Sequence, residues 1–324
     1  MRATVTGTSL PVLPLALLLL FTSAVDSAAQ ERSRARAREQ APSAVQGKGA
    51  LVLQTDLGIS DGSVSSMKGV ALGVDPALRV HDLTHMIPPF NIWDASVRLR
   101  QAVPYWPAGT VFVSVVDPGV GTGRRLVVAR TRGGRFIVTP DNGTLTFLAD
   151  ALGFEEVRQL DERTHRLPGS ERSYTFEGRD VLAYTGARLA SGALRFEDVG
   201  PTMQTAIVRL AHEAPRYAGE TVIGGIVALD GPFGNVWSNI TAGLLDRLGL
   251  RVGDTARVRI QNGRRLAFAG PVPYVRTFGS VKAGEPLLYI NSLLEVGFAI
   301  NQGNFSQRHR LAVGPDWRVE ISKR

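Results

Sequence analysis

The 324-residue sequence contains no cysteine. That absence excludes a disulfide framework, a thiolate zinc site and a cysteine nucleophile, whatever compartment the chain reaches. It also excludes a lipid-modified N-terminus of the bacterial type, which needs a cysteine at the processing junction. A dinucleotide fingerprint is missing as well: Gly119-x-Gly121 lacks the third glycine, and nicotinamide-dependent chemistry recedes with it. No repeat array is present. Nor is there an arginine stripe interleaved with aromatic residues, the footprint of a nucleic-acid groove. The formal net charge of +8 would otherwise invite that reading. Five basic residues against two acidic ones fall within residues 30–49, however, leaving a modest +5 for residues 50–324. A generally basic surface without a nucleic-acid partner is expected.

What is there is globular. An apolar share of 44% with 20% charged residues excludes collagen-like, coiled-coil and wholly disordered chains. The 35 glycines and 18 prolines imply many turns and close backbone approaches. The length suits two domains of about 150 residues each.

The N-terminus carries Arg2, an apolar run from Leu10 to Val25 dominated by Leu15 to Phe21, and then Ser27-Ala28-Ala29. This is the pattern of a signal peptide over residues 1–29, cleaved after Ala29. A membrane anchor is the competing reading, but the uninterrupted apolar core is shorter than the ~20 residues a spanning helix needs. The expected product is an exported protein, periplasmic or secreted, with no membrane segment after cleavage. Its arginine-rich stretch over residues 30–49 reads as a flexible leader.

Folding should begin at Ala50 to Thr55, an apolar run that stops at Asp56-Leu57-Gly58. The same grammar recurs at Val80 to Leu83, Thr110 to Val116 and Phe136 to Thr139, each followed by a polar loop. Helical patterns lie between them, at Ser63 to Val74, Ile92 to Ala102 and Leu145 to Ala151. The expectation is an α/β, sandwich-like N-terminal domain over residues 50–215, built on a central sheet with its loops gathered at strand ends. After about Arg216 the texture changes to short β runs, such as Glu220 to Leu229, Thr255 to Ile260 and Pro286 to Ile290. A smaller, barrel-like C-terminal β domain over residues 216–324 follows.

Three acidic loops stand out: Asp56-Leu57-Gly58 with Asp61 and Ser63; Asp117-Pro118-Gly119-Val120-Gly121-Thr122 with Arg124; and Asp230-Gly231-Pro232-Phe233-Gly234-Asn235-Val236-Trp237. One such loop is ordinary turn chemistry. Three together suggest carboxylates presented to a ribose diol beside glycine-rich backbone that a ligand can approach. Phe233 and Trp237 offer π-faces for a purine or, equally, core residues of the β domain. Asp117 and Arg124 bracket their loop as an oriented carboxylate or as a structural ion pair. His81, Asp82 and His85 would suit a metal only on a helix, and they fall on a strand, so no metal site is expected.

Those loops, in that order, resemble the S-adenosyl-L-methionine hydroxide adenosyltransferase family, relatives of the fluorinase and chlorinase. The resemblance rests on TDLGISDGSVSSMKG at 55–69, DLTHMIPP at 82–89, PAGTVFVSVVDPGVGTGRR at 107–125, TPDNGTLT at 139–146, GRD at 178–180 and DGPFGNVWSNI at 230–240. It implies an α/β domain followed by a β domain, a homotrimer with sites between subunits, S-adenosyl-L-methionine as substrate and no cofactor. By position, Asp56 would hold the ribose hydroxyls. Ser63, Asp230 and Ser292 would hold the methionine portion, and Phe233, Asn235 and Trp237 the adenine side. Phe90 falls where the halogenases carry a stacking tryptophan. In the hydrolysing branch an Asp, an Arg and a His activate water; Asp117 and Arg124 match the first two, and Glu177 stands where the histidine is usual. Glu177 would serve as base, as partner of Arg124, or as a like charge that raises a carboxylate pKa. The implied activity is hydrolysis to adenosine and L-methionine, with a catalytically weak adenosyl-ligand binder as the alternative. A halogenase is the less favoured third reading, since an anionic Asp117 would repel halide.

Overall fold

The computed structural model describes residues 49–204 and 206–323. The expected signal peptide, its cleavage point and the leader up to residue 48 lie outside the described residues. Within the N-terminal half, β1 (Leu51–Thr55), β2 (Val80–Thr84), β3 (Val111–Val115), β4 (Leu126–Thr131), β5 (Phe136–Pro140) and β6 (Phe154–Gln159) form one six-stranded sheet in the order β2-β1-β3-β5-β4-β6. The first four strands of that order run parallel; β4 and β6 join antiparallel.

Each face of the sheet is covered by helices. Leu51, Leu53, Val111 and Val113 point to one side and Val52 and Phe112 to the other, the period-two alternation of a strand buried on both faces. The first side packs against α1 (Ser63–Val74) and α4 (Tyr184–Ser191), the latter opened by a π-helical turn over Gly178–Ala183. The second packs against α2 (Ile92–Ala102) and α3 (Thr146–Leu152). Asn91 caps α2 by accepting the Asp94 N–H, so that helix starts where a side-chain acceptor replaces a missing backbone one.

Strand β6 escapes a reading by apolar pattern, and one expected strand of the C-terminal half divides in two. In β6, Phe154-Glu-Glu-Val-Arg-Gln, no residue is fully buried, and a strand at the sheet edge tolerates the charges. The run Glu220 to Leu229 is two strands rather than one, β8 (Thr221–Gly224) and β9 (Ile226–Asp230). The break falls at Gly224-Gly225, where the Gly225 N–H turns to the Asn239 side-chain carbonyl at 2.8 Å.

The C-terminal half consists of two antiparallel sheets over one core. One has the order β13-β14-β10-β9, with β10 (Asn235–Thr241), β13 (Pro286–Ile290) and β14 (Glu295–Ile300). The other has the order β12-β11-β15-β8-β7, with β7 (Arg216–Ala218), β11 (Thr255–Asn262), β12 (Arg265–Pro273) and β15 (Trp317–Lys323). Val222, Val236, Val258, Leu288, Phe298, Phe305 and Ile321 fill the space between them. The halves meet where α2 packs on β9: the Trp93 indole donates to the Val227 carbonyl at 2.9 Å, and Arg100 of α2 forms an ion pair with Glu295 of β14.

Candidate active site

Strand order places the first two acidic loops side by side. The chain leaves β1 toward β2 on one side and returns to β3 on the other, so the carboxyl ends of β1 and β3 flank the switch point where α/β sheets bind ligands. Thr55 and Val115 are register partners, and the Asp56 N–H reaches the Val115 carbonyl at 3.4 Å. From the end of β5, Asn142 donates to the Val116 carbonyl at 2.9 Å, tying the third loop of this edge to the second.

Asp56 binds the Phe90 N–H through Oδ2 at 2.8 Å. Phe90 has φ +66°, a conformation that costs a bulky residue about 1–3 kcal/mol, and its side chain is nevertheless 70% exposed. The result is a carboxylate and an aromatic face held together at the end of β1. Ser63 opens α1, where the exposed Asp61 accepts its N–H at 2.9 Å. That backbone hydrogen bond holds the Asp61 carboxyl below its ordinary range.

Asp117, Arg124 and Glu177 come into direct contact. Arg124 donates to Asp117 Oδ2 through Nε at 2.8 Å and Nη2 at 2.6 Å, and Nη2 also reaches Glu177 Oε2 at 2.5 Å. Among the described residues, Asp117 Oδ1 accepts only the Gly119 N–H, at 3.1 Å. Burial works against the Arg124 cation, but the hydrogen bonds and charges of Asp117 and Glu177 outweigh it and hold the guanidinium above its ordinary pKa. Glu177 is almost wholly buried, and its other oxygen is closed by Arg166 at 3.3 Å. Its place is fixed by Gly178: a Cβ there would lie 2.6 Å from Val115 Cγ1, so only glycine lets this backbone press on the end of β3.

Asp230, Phe233 and Asn235 form a separate group in the β9–β10 turn. Asn235 donates to Asp230 Oδ2 at 3.0 Å, and the Asp230 carbonyl accepts from the Phe233 and Gly234 N–H groups. Phe233 is 65% exposed, whereas Trp237 is half-buried among Trp93, Phe147 and Val227 and donates to the Tyr289 hydroxyl at 3.1 Å. Of the two readings open for these aromatics, Phe233 is not core and Trp237 largely is. Burial pushes the Tyr289 hydroxyl pKa up, with Asp230 adding to the effect against the Trp237 hydrogen bond. Ser292 is exposed, and its carbonyl accepts the Tyr105 hydroxyl at 3.0 Å. Among the described residues, no hydrogen bond or ion pair joins this second group to Asp56, Asp117 or Glu177.

Sequence reasoning missed Arg166 and Glu162, which reach the Asp117 cluster from an irregular loop, and it missed Tyr289. His85 turns out to brace the site: its ring bridges the buried Thr55 hydroxyl at 2.9 Å and Asp82 at 3.0 Å, and Lys68 reaches the other Asp82 oxygen at 2.7 Å. Thr55 in turn accepts the Leu57 N–H beside Asp56. The letters Gly58-Ile59-Ser60-Asp61-Gly62 spell a nucleophile-elbow pattern, but Ser60 is exposed in a bend and, among the described residues, meets no histidine.

The fold and the loops at its switch point define an α/β protein that gathers carboxylates, one guanidinium and an exposed aromatic at the carboxyl ends of β1 and β3. The comparisons narrow this class. Residues 51–200 match the model of the SAM hydroxide adenosyltransferase N-terminal domain and residues 224–318 that of its C-terminal domain. The chain belongs to the SAM hydroxide adenosyltransferase family. It is 38% identical over 272 residues to the (R)-S-adenosyl-L-methionine hydrolase of Salinispora tropica, covering 83% of this chain and 95% of that one. To the fluorinase of an Actinoplanes species it is 28% identical over 289 residues, covering 82% and 95%. A crystal structure of an uncharacterized conserved protein from Thermotoga maritima superposes with a TM-score of 0.75 at 34% identity, covering 84% of this chain and all of that one.

Proposed function

We propose that this protein hydrolyses S-adenosyl-L-methionine to adenosine and L-methionine. The observation that carries the reading is the Asp117–Arg124–Glu177 cluster at the end of β3, beside the Asp56–Phe90 pair at the end of β1. Relatives named for this hydrolysis at 36–38% identity support it.

The chemistry suits those groups. The ribose 5′ carbon bears a sulfonium, so methionine departs as a neutral thioether and no general acid is required. The site must strip water from the cation, align one water opposite the sulfur and draw off its proton as the new C–O bond forms. Asp117 Oδ1, which accepts the Gly119 N–H but faces no guanidinium donor among the described residues, is the acceptor for that proton. Arg124, fixed by three hydrogen bonds, holds Asp117 in place and stabilises negative charge developing on the water oxygen. Both Glu177 oxygens are occupied by guanidinium groups, which makes Glu177 a partner of Arg124 rather than a second base.

Asp56 is suited to the ribose hydroxyls and Phe90 to stacking. Ser63, Asp230 and Ser292 would hold the methionine part, and Phe233, Asn235 and the exposed edge of Trp237 the adenine. The Asp230 and Asp56 groups would then meet across subunits of a homotrimer, a reading supported by the exposed Ile59, Met86, Phe90, Tyr105, Phe233 and Leu294 on or near these loops. The Leu15–Phe21 run and Ser27-Ala28-Ala29 support export after cleavage at Ala29. No cofactor enters this scheme.

Chromatography of the mature protein incubated with S-adenosyl-L-methionine tests it. Adenosine and methionine should appear in equal amounts, and Asp117→Asn should slow their formation about 100-fold or more. Binding without either product would replace the hydrolase by a ligand-binding protein.

A further inference from the structure

Three carboxylates converge on Arg124: Asp117 and Glu177 by direct hydrogen bonds, and Glu162 with Oε1 3.9 Å from Nη1. A single guanidinium leaves such a cluster strongly anionic in a place largely shut off from water, an arrangement that costs several kcal/mol per uncompensated ion. Arg166 supplies the second cation. Its Nη2 donates to Glu177 Oε1 at 3.3 Å, its Nη1 donates to the Ser173 carbonyl at 3.2 Å, and its guanidinium carbon lies 4.6 Å over the Tyr174 ring. Its side chain is only 7% exposed. The Arg166 guanidinium is thus gripped on three sides, an order that a planar, forked cation achieves and an ammonium does not.

The backbone explains how a residue on an irregular loop comes to be so placed. The Leu167 N–H donates to the Asp180 carbonyl at 2.7 Å, tying the loop to the π-helical turn that begins one residue after Glu177. On the loop's other flank, the His165 N–H donates to the Asp161 carbonyl at 3.0 Å, and the His165 ring reaches the Asp198 carbonyl at 3.1 Å. Glu162 and Arg166 therefore approach the Asp117 loop from one anchored turn.

We propose that Arg166 is a positioning residue for the hydrolysis: by occupying Glu177 Oε1 it leaves only Oε2 for Arg124, which locks that guanidinium on Asp117 Oδ2 and keeps Oδ1 turned toward the attacking water. This rests on the hydrolase reading above. Nothing is transferred to Arg166. The C5′–O bond forms from water, the C5′–S bond breaks with its electron pair going to sulfur, and the water proton passes to Asp117.

Charge balance supplies a second consequence. Burial pushes the Glu162 carboxyl up, Glu177 and Asp117 push it the same way, and Arg124 and Arg166 oppose them. Removing Arg166 takes away one of the two opposing cations, so the Glu162 carboxyl holds its negative charge less readily and its own titration moves to higher pH.

The test is a double-mutant cycle of Arg166→Met and Glu177→Gln, with Arg166→Lys as the charge-conserving control, read in kcat, KM and pH profile. Arg166→Met should lower kcat about tenfold with KM for S-adenosyl-L-methionine little changed, within the coupling range of residues sharing one ion-pair network. The loss should shrink severalfold in the Glu177→Gln background, and Arg166→Lys should recover part of it. Equal losses in both backgrounds, or a rise in KM with kcat intact, would overturn the proposal. The same cycle read by thermal unfolding needs no turnover: coupling between positions 166 and 177 is expected, and additive effects would overturn the brace itself. A wild type that forms no adenosine while the unfolding coupling persists removes the hydrolase reading, and with it any catalytic consequence of Arg166.

Discussion

Asp117 and Glu177 contact the same guanidinium, yet they are not equivalent residues. Asp117 keeps one oxygen with a lone backbone donor, whereas both Glu177 oxygens are spent on arginines. Under the proposed hydrolysis that difference gives proton acceptance to Asp117 and bracing to Glu177, a division that spacing alone does not make. Asp117 and Arg124 were legible because seven residues of glycine-rich loop fold back on themselves. Glu177 was legible only through the resemblance. Arg166 and Glu162 were not legible at all, since an aperiodic loop reveals nothing of the tertiary tie between Leu167 and Asp180. Phe90 makes a sharp test at this scale. Phe90→Gly relieves the positive-φ strain while adding unfolded-state entropy, so stability by denaturant titration should change by no more than about 1 kcal/mol. The same variant should raise KM about tenfold through loss of one aromatic face. An unchanged KM would remove Phe90 from the binding surface.

At the scale of elements, β1, β3 and β5 were readable because each is an apolar run closed by a polar loop. Edge strand β6 was not, since an antiparallel edge is partly solvated and carries charge, whereas β4 is an apolar run buried between β5 and β6 that the same pattern should have shown. The ion pair between α2 and β14 was equally invisible, because it depends on how two domains face each other. Arg100 and Glu295 are both nearly buried, and Glu295 Oε2 has no hydrogen-bond partner among the described residues. Burial raises the Glu295 carboxyl pKa, and Arg100 only partly reverses this. Arg100→Met should therefore destabilise the protein by about 3–5 kcal/mol, because it strands a buried carboxyl. Arg100→Met with Glu295→Leu should restore most of that loss in chemical denaturation. A single variant as stable as wild type would show that the pair does not couple the halves.

For the whole molecule, the charged chain beneath the Asp56 loop ties stability to pH. Burial pushes the Asp82 carboxyl up, but the Lys68 and His85 contacts more than reverse it and hold it below its ordinary range. A carboxyl depressed on folding stabilises above its unfolded pKa, near 3.9, and that contribution is lost as pH falls through the lower folded value. The melting temperature should fall on acidification below about pH 4, and Asp82→Asn should flatten that part of the curve. Identical acid limbs would show that the Lys68–Asp82–His85–Thr55 chain adds nothing to the fold. Such a chain carries no sequence signature beyond His85 and Asp82 lying three residues apart.

The account turns on water being the nucleophile at the ribose 5′ carbon. Incubating the mature protein with S-adenosyl-L-methionine in heavy-oxygen water and weighing the adenosine by mass spectrometry reads this directly. Adenosine carrying the heavy isotope in its 5′ hydroxyl, and a sharp loss of that product in Asp117→Asn, is the result expected. Unlabelled adenosine, or a 5′-halogenated nucleoside in its place, would contradict the account.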